Sequence, residues 1–168
     1  IDDAVIELLL KAVSGYVDTQ TGRHFYPYVE TRYFDVPTSS TLDIRALSMD
    51  DDLLEVISIT NGDGVSIPST EYTLRPRNKS PYQYIRLKDN STYLWASDGA
   101  GDTHDVIEVT GIWGFHPKYS EAWRSVSALN EALDETETAI DVVDGTDYAI
   151  GDLIRFDDEF SYVSAKST

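Results

Sequence analysis

The sequence predicts an α+β fold: an N-terminal amphipathic helix packed on an antiparallel β-sheet, followed by a small all-β module. Three features lead to this expectation. Apolar residues recur at helical spacing in the opening segment. Short β-branched and aromatic runs, separated by turn residues, fill the stretch from Tyr28 to Trp113. Beyond residue 127 the charge density turns more negative, and short strand-like runs return.

In the opening segment Val5, Leu8, Leu9, Ala12, Val13, Tyr16 and Val17 lie three and four residues apart, which gathers them on one stripe that is expected to face a core. Asp3 is placed to cap this helix and Gly22 to stop it. Strands are expected at Tyr28 to Val36, Thr41 to Leu47, Leu54 to Thr60, Tyr72 to Arg75, Tyr82 to Leu87 and Val106 to Trp113. Asn61-Gly62-Asp63-Gly64 tolerates positive φ and so suits a hairpin turn, and Asp98 to Asp102 reads as a second loop. Lys118 to Glu137 is polar and reads as a linker or short helix. Thr138 to Val143, Leu153 to Phe156 and Phe160 to Ser164, punctuated by Asp144-Gly145 and Gly151-Asp152, form the expected small β-module.

The chain has 168 residues, 41% of them hydrophobic, enough for one domain with a real core and a small appendage. From Ala128 onward there are eleven acids and two bases, against nineteen and eleven before it. The expected division is therefore a helix-plus-sheet domain over 1–127 and an acidic linker with its β-module over 128–168. Three short strands make a marginal core, so the module is expected to lean on the first domain, a neighbouring subunit or residues beyond Thr168. The chain opens on Ile1 and closes on a strand-like run, and both ends are expected to be trimmed and the module incomplete.

Composition also narrows the chemistry. Without cysteine there is no disulfide framework and no thiolate metal site. No run approaches the roughly 20 apolar residues of a membrane helix, and the start lacks the positive region of a signal peptide. Thirteen Lys and Arg face thirty Asp and Glu, a formal charge of -17, which argues against gripping phosphates over a broad face. DNA as a neighbour stays compatible, since a negative wall lets a polyanion slide past.

His24, His104 and His116 lack metal-ligand spacing and suit structural or solvent roles. Asp50-Asp51-Asp52 lacks the alternating ligands and central glycine of a calcium loop and reads as a solvated turn. Asp141, Asp144 and Asp147 around Gly145 read the same way, with calcium the lesser alternative. Thirty acids with Trp95, Trp113 and Trp123 would suit a glycosidase, but nothing fixes two carboxylates at one place. No nucleophile elbow, phosphate loop or dinucleotide fingerprint occurs. Against the acidic background, Arg75, Arg77, Lys79, Arg86 and Lys88 cluster on two adjacent expected strands and their turn. Such a cluster can meet an acidic edge of the next copy in a ring, form a plain solvated face, or touch DNA phosphate.

Three segments, taken in order, resemble a known family. The helix ending in Gly22-Arg23-His24-Phe25-Tyr26-Pro27 with a strand at Glu30 to Phe34, the runs Leu54 to Ile59, Tyr72 to Asn78 and Pro81 to Leu87, and Val109-Thr110-Gly111-Ile112-Trp113-Gly114-Phe115 are similar to tailed-bacteriophage head-tail connector (adaptor, head-completion) proteins. The likeness covers Asp3 to His116, and the tail from Thr138 to Glu159 looks like a β-module of longer members; the family's further helix has no counterpart here. The resemblance implies a non-enzymatic virion protein without cofactor or catalytic residues. It implies a twelve-subunit ring of its own copies beneath the portal protein, extending the DNA channel and docking a tail-completion or stopper protein. Its place would be the head-tail interface of the virion, with assembly in the host cytoplasm and no membrane or sequence-specific DNA contact. The alternative is a carbohydrate-binding or adhesive β-module, which needs an exposed aromatic platform. A hydrolase would need a pocket with converging carboxylates.

Overall fold

Helix α1 runs from Asp3 to Thr21 and ends where glycine permits a turn of the backbone that other residues resist. Gly22 takes φ +64°, and both its N–H and that of Arg23 donate to the Asp18 carbonyl, at 2.8 and 3.3 Å, which satisfies a terminal carbonyl of the helix. The computed structural model describes residues 3–38, 43–134, 137, 139–157 and 159–166. The cap expected of the Asp3 side chain lies outside what is described, as do Thr41 and Leu42 of the expected second strand and Thr138 of the seventh.

The strands that follow are β1 (Tyr28–Phe34), β2 (Ala46–Thr60), β3 (Tyr72–Arg75), β4 (Tyr82–Leu87) and β5 (Ile107–Trp113), with a 3₁₀ turn at Ser69–Glu71 ahead of β3. They form one antiparallel sheet in the order β1-β5-β2-β4-β3. A short helix α2 (Tyr119–Ala122) comes next, then β6 (Leu153–Phe156) and β7 (Glu159–Tyr162), an antiparallel pair of their own. This is the expected α+β class.

Three expectations need correction. The second and third expected strands are one continuous strand, β2, fifteen residues long. Its first half pairs with β4 and its second with β5. Between Ser48 and Leu53, five steps of β2 face only the two from Tyr84 to Tyr82 of β4. Asp50, Asp51 and Asp52 sit in this bulge rather than in a turn, so they leave the ladder without ending the strand. The stretch 139–143 is not a strand: Val142 makes a single bridge to Leu129. The apolar stripe of α1 is not covered by the sheet: Leu8, Leu9, Val13 and Tyr16 are between 58% and 68% exposed.

The core gathers on one face of the sheet. Leu47, Leu53, Ile59, Ile85, Leu87, Ile107, Val109 and Trp113 are almost wholly shielded, with Phe34 stacked on Trp113 at 6.3 Å between ring centroids. Strand alternation explains the set. Ile107, Val109 and Trp113 point inward while Glu108 points out. The expected hairpin signal closes the end of β2: Gly64 N–H donates to the Asn61 carbonyl at 2.8 Å, with Gly64 at φ +79°. Buried Asn61 also ties in the 94–96 segment. Its Nδ2 donates to the Leu94 carbonyl at 2.9 Å, and its Oδ1 accepts from Ala96 N–H at 3.0 Å.

By packing, the chain divides into two units, Ile1–Tyr119 and Ser120–Thr168. The charge shift noted at Ala128 falls a little past this division. Within the second unit Trp123 meets Phe160 at 5.6 Å, and Gly151 and Val163 extend the pairing of β6 and β7. No described residue of this unit is fully buried, as befits so few strands.

Candidate functional site

The segment after α1 and the end of β5 are far apart in sequence but form one joint. Phe115 N–H donates to the His24 carbonyl at 2.6 Å, and Gly114 N–H donates to the Asp52 carbonyl at 2.8 Å. Gly114 adopts φ +132°, and a Cβ there would lie 2.5 Å from the Tyr26 carbonyl oxygen, so only glycine lets the two backbones approach. The Arg23 guanidinium lies 4.2 Å over the Phe115 ring, and Phe25 meets Phe115 edge-on at 5.7 Å. Arg23 Nε is 3.2 Å from Asp52 Oδ2 but out of hydrogen-bond alignment, which leaves this buried carboxylate oxygen held by charge alone. Burial pushes the Asp52 carboxyl above its ordinary pKa; Arg23 pulls it back in part, and the neighbouring Asp51 charge adds to the rise.

Next to this joint the core-facing side of β1 carries an arginine. Arg32 donates to Glu30 at 2.8 Å and to Asp50 and Asp51 at 3.0 Å each, and its guanidinium lies 4.7 Å over Trp113. Burial works against its charge, but hydrogen bonding to Asp50 and the charges around it more than offset this, so its pKa is raised. Tyr28 joins the group, accepting from Arg32 at 3.1 Å and donating to Asp51 at 3.3 Å. Burial and then Asp51 push its hydroxyl upward. The three consecutive aspartates therefore neutralise arginines.

The five bases singled out from sequence separate into two groups. Arg86 and Lys88 sit at one end of the β3–β4 hairpin and are engaged within the chain. Arg86 donates to Asp43 at 2.6 Å and to Asp89 at 2.8 Å, and Lys88 Nζ donates to the Thr70 carbonyl. The hydrogen bond to Asp43, then that to Asp89, raises the Arg86 pKa, and the same bond lowers that of Asp43. Arg75, Arg77 and Lys79 sit at the other end, exposed. They have no hydrogen-bond or ion-pair partner among the described residues, whereas each of the other ten Lys and Arg is engaged in a hydrogen bond, an ion pair, or a ring or other electrostatic contact. On a chain with more than two acids per base, leaving three adjacent cations unpaired is a selective placement.

Arg75 and Lys79 also line a cleft of about 670 Å³, together with Arg23, Asp52, Tyr84 and Phe115 and with Pro76, Pro81 and Pro117 along its walls. The cleft thus joins the unpaired bases to the joint. Its floor and rim offer cations, aromatic faces and one half-buried carboxylate, a set suited to holding an acidic segment. Sequence reasoning found the bases by their clustering and named Arg23 within a motif and Asp52 within a run read as a solvated turn, but it did not bring these two together or give Arg32 a role. The signal available was the aspartate run, whose meaning depends on strand pairing that the sequence does not display.

The histidines serve separate contacts. His24 lies 3.7 Å from Asp18 and edge-on to Tyr28, His104 contacts Asp35 at 3.2 Å, and His116 Nδ1 accepts from Lys118 N–H at 3.2 Å. Asp144 accepts from Thr146 N–H and Oγ1 at 2.9 and 2.6 Å, the turn chemistry expected around Gly145. Among the described residues no three or more His, Asp or Glu side chains converge as a metal site, and no helix is long and apolar enough to cross a membrane. Comparison with protein families, with curated proteins and with solved structures finds no match to this chain.

Proposed function

We propose that the chain is a structural head-tail connector subunit of a tailed phage, assembled with its own copies as a ring beneath the portal protein and presenting a surface to a tail-completion protein. The observation that carries the reading is the trio Arg75, Arg77 and Lys79, unpaired on an acidic chain and set beside an open cleft. Exposed charges without internal partners contribute little to the fold, but they select and steer a partner of opposite sign. The residues of the family likeness add support: Gly22 to Pro27 and Trp113 to Phe115 meet at one joint. That joint fixes how the chain passes from the end of α1 into β1. A trio of cations within a charge of -17 is too small a footprint for holding DNA, and suits a wall along which DNA passes.

The test is incubation of the purified chain with isolated portal rings, followed by negative-stain imaging, alongside particles that lack the gene product. The expected result is a collar on the portal, and full heads without tails in the mutant. Absence of portal binding together with normally tailed particles overturns the reading.

A further inference from the structure

On the first unit, α1 leaves uncovered an apolar surface that nothing in the β-sheet accounts for. Val5, Ile6, Leu8, Leu9, Leu10, Val13, Tyr16 and Val17 are between 39% and 68% exposed. At helical spacing the apolar positions from Leu8 round to Leu10 occupy about 200° of the circumference. Lys11, Ser14 and Asp18 are confined to the remaining arc. A helix that docks on one neighbour needs an apolar stripe of roughly 100°. This one carries about two such stripes, one centred on Leu8, Ala12 and Tyr16, the other on Ile6, Leu10 and Val17, with Leu9 and Val13 between them.

We propose that α1 is the self-association element of this protein, and that it packs between the α1 helices of two other copies. Three considerations select the occupant. The exposed apolar area is roughly 700 Å² per copy, above the roughly 300–600 Å² of the largest patch on a typical monomer, which marks it as a surface for contact between molecules. The two-stripe width requires two neighbours, which a second and a third copy of the same helix supply without any other partner. Interfacial membrane helices carry Lys and Arg along the polar face. Here that face offers Lys11 as its one base, on a chain of charge -17, so an anionic bilayer is a poor fit. The apolar contact and the basic trio lie on different elements, so a ring has one surface for cohesion and another for choosing the partner's acidic edge. This deepens the connector reading and rests on it only for closure of the ring.

The absence of cysteine from the chain makes a clean test possible. Leu8→Cys and Leu10→Cys are made singly and together in the full chain, with Ser14→Cys on the polar arc as the control, and oxidised at micromolar concentration. In a head-to-tail ring the Leu8 stripe of one copy meets the Leu10 stripe of the next, so the double is expected to give a ladder on a non-reducing gel, and the singles and the control to stay monomeric. In sedimentation velocity the wild type is expected to associate, and Leu9→Glu with Val13→Glu to weaken association roughly a hundredfold or more. Because these positions are exposed, the near-ultraviolet circular dichroism should be unchanged. Should the charged variant misfold, Leu9→Ser with Val13→Ser supplies the same comparison. A monomeric wild type with no cross-linking overturns the proposal, as does association unaffected by these substitutions, or binding of the wild type to phosphatidylserine vesicles in place of self-association. Portal binding that survives in a chain whose α1 does not self-associate sinks this inference alone, whereas α1 cross-linking without portal binding sinks the connector reading alone.

Discussion

At the scale of single residues, charge pairing decides what each acid does. Asp50, Asp51 and Asp52 are identical in sequence terms, and a run of three solvated aspartates is a fair reading until the arginines facing them are known. In the fold two of them hold Arg32, and the third lies buried against Arg23. The sequence made the run visible but not its partners, because Arg32 and the run belong to strands that follow one another in the chain but are separated in the sheet by β5, an arrangement the sequence does not display. Asp35 and His104 give a pair whose behaviour with pH follows directly. Backbone donation from Asp105, then the bond to His104, lowers the Asp35 pKa, and Asp35 in turn raises His104 above its ordinary value of 6.5. A raised histidine stabilises the folded chain below its unfolded pKa, and that contribution is lost as the pH climbs through the folded value. The lowered aspartate acts oppositely: its contribution is present above the ordinary carboxylate range and disappears as the pH falls through the folded value. His104 is therefore expected to titrate above 6.5 in a proton NMR titration and to move back down in Asp35→Asn. An unmoved His104 in that variant removes the pair.

At the scale of elements, the strands most legible in sequence were those bounded by turn residues. β3, β4 and β5 fall at or within a residue of their expected limits because Pro76, Pro81 and Gly114 bracket them. β2 was read as two strands because a bulge carries the same polar signature as a turn. The expected strand ending at Val143 has the right β-branched residues but no continuous partner beyond the bridge to Leu129. For α1 the period was plain, but periodicity reports that an apolar stripe exists and not what covers it. Gly114 tests how much the link between the post-helix segment and β5 contributes. With φ +132° and a backbone oxygen 2.5 Å from any Cβ, Gly114→Ala is expected to destabilise by at least about 2 kcal/mol, from backbone strain and the displaced Tyr26 carbonyl. Gly99, with open space around it, is the control: Gly99→Ala should stay within about 0.5 kcal/mol. Thermal melts of the two variants compare them directly, and equal melting temperatures would show that the joint is not tightly closed.

At the scale of the whole molecule, charge is unevenly spent. On a formal charge of -17, Arg23, Arg32 and Arg86 pair with acids, while Arg45, Lys88, Arg124, Arg155 and Lys166 donate to backbone carbonyls. Clustering in sequence located the exceptional bases but could not separate Arg75, Arg77 and Lys79 from Arg86 and Lys88, since pairing with Asp43 and Asp89 appears only once the hairpin is built. The separation gives opposite expectations for the same kind of substitution. Arg75→Glu with Arg77→Glu should leave the melting temperature within roughly 2 °C of wild type, because no side-chain hydrogen bond or ion pair to a described residue is lost, while binding to copies or portal falls. Arg86→Glu should lower the melting temperature, because it sets a third carboxylate against Asp43 and Asp89. Raising ionic strength should mimic the first pair: at 0.15 M the Debye length is about 8 Å and at 1 M about 3 Å, so exposed intermolecular charges are screened while apolar α1 contacts are not. Light scattering across a salt series, on wild type and on the Arg75/Arg77 variant, thus resolves two contributions. The salt-sensitive part of assembly should vanish in the variant and the salt-resistant part should remain; a salt response identical in both proteins would mean the basic trio makes no contact between molecules.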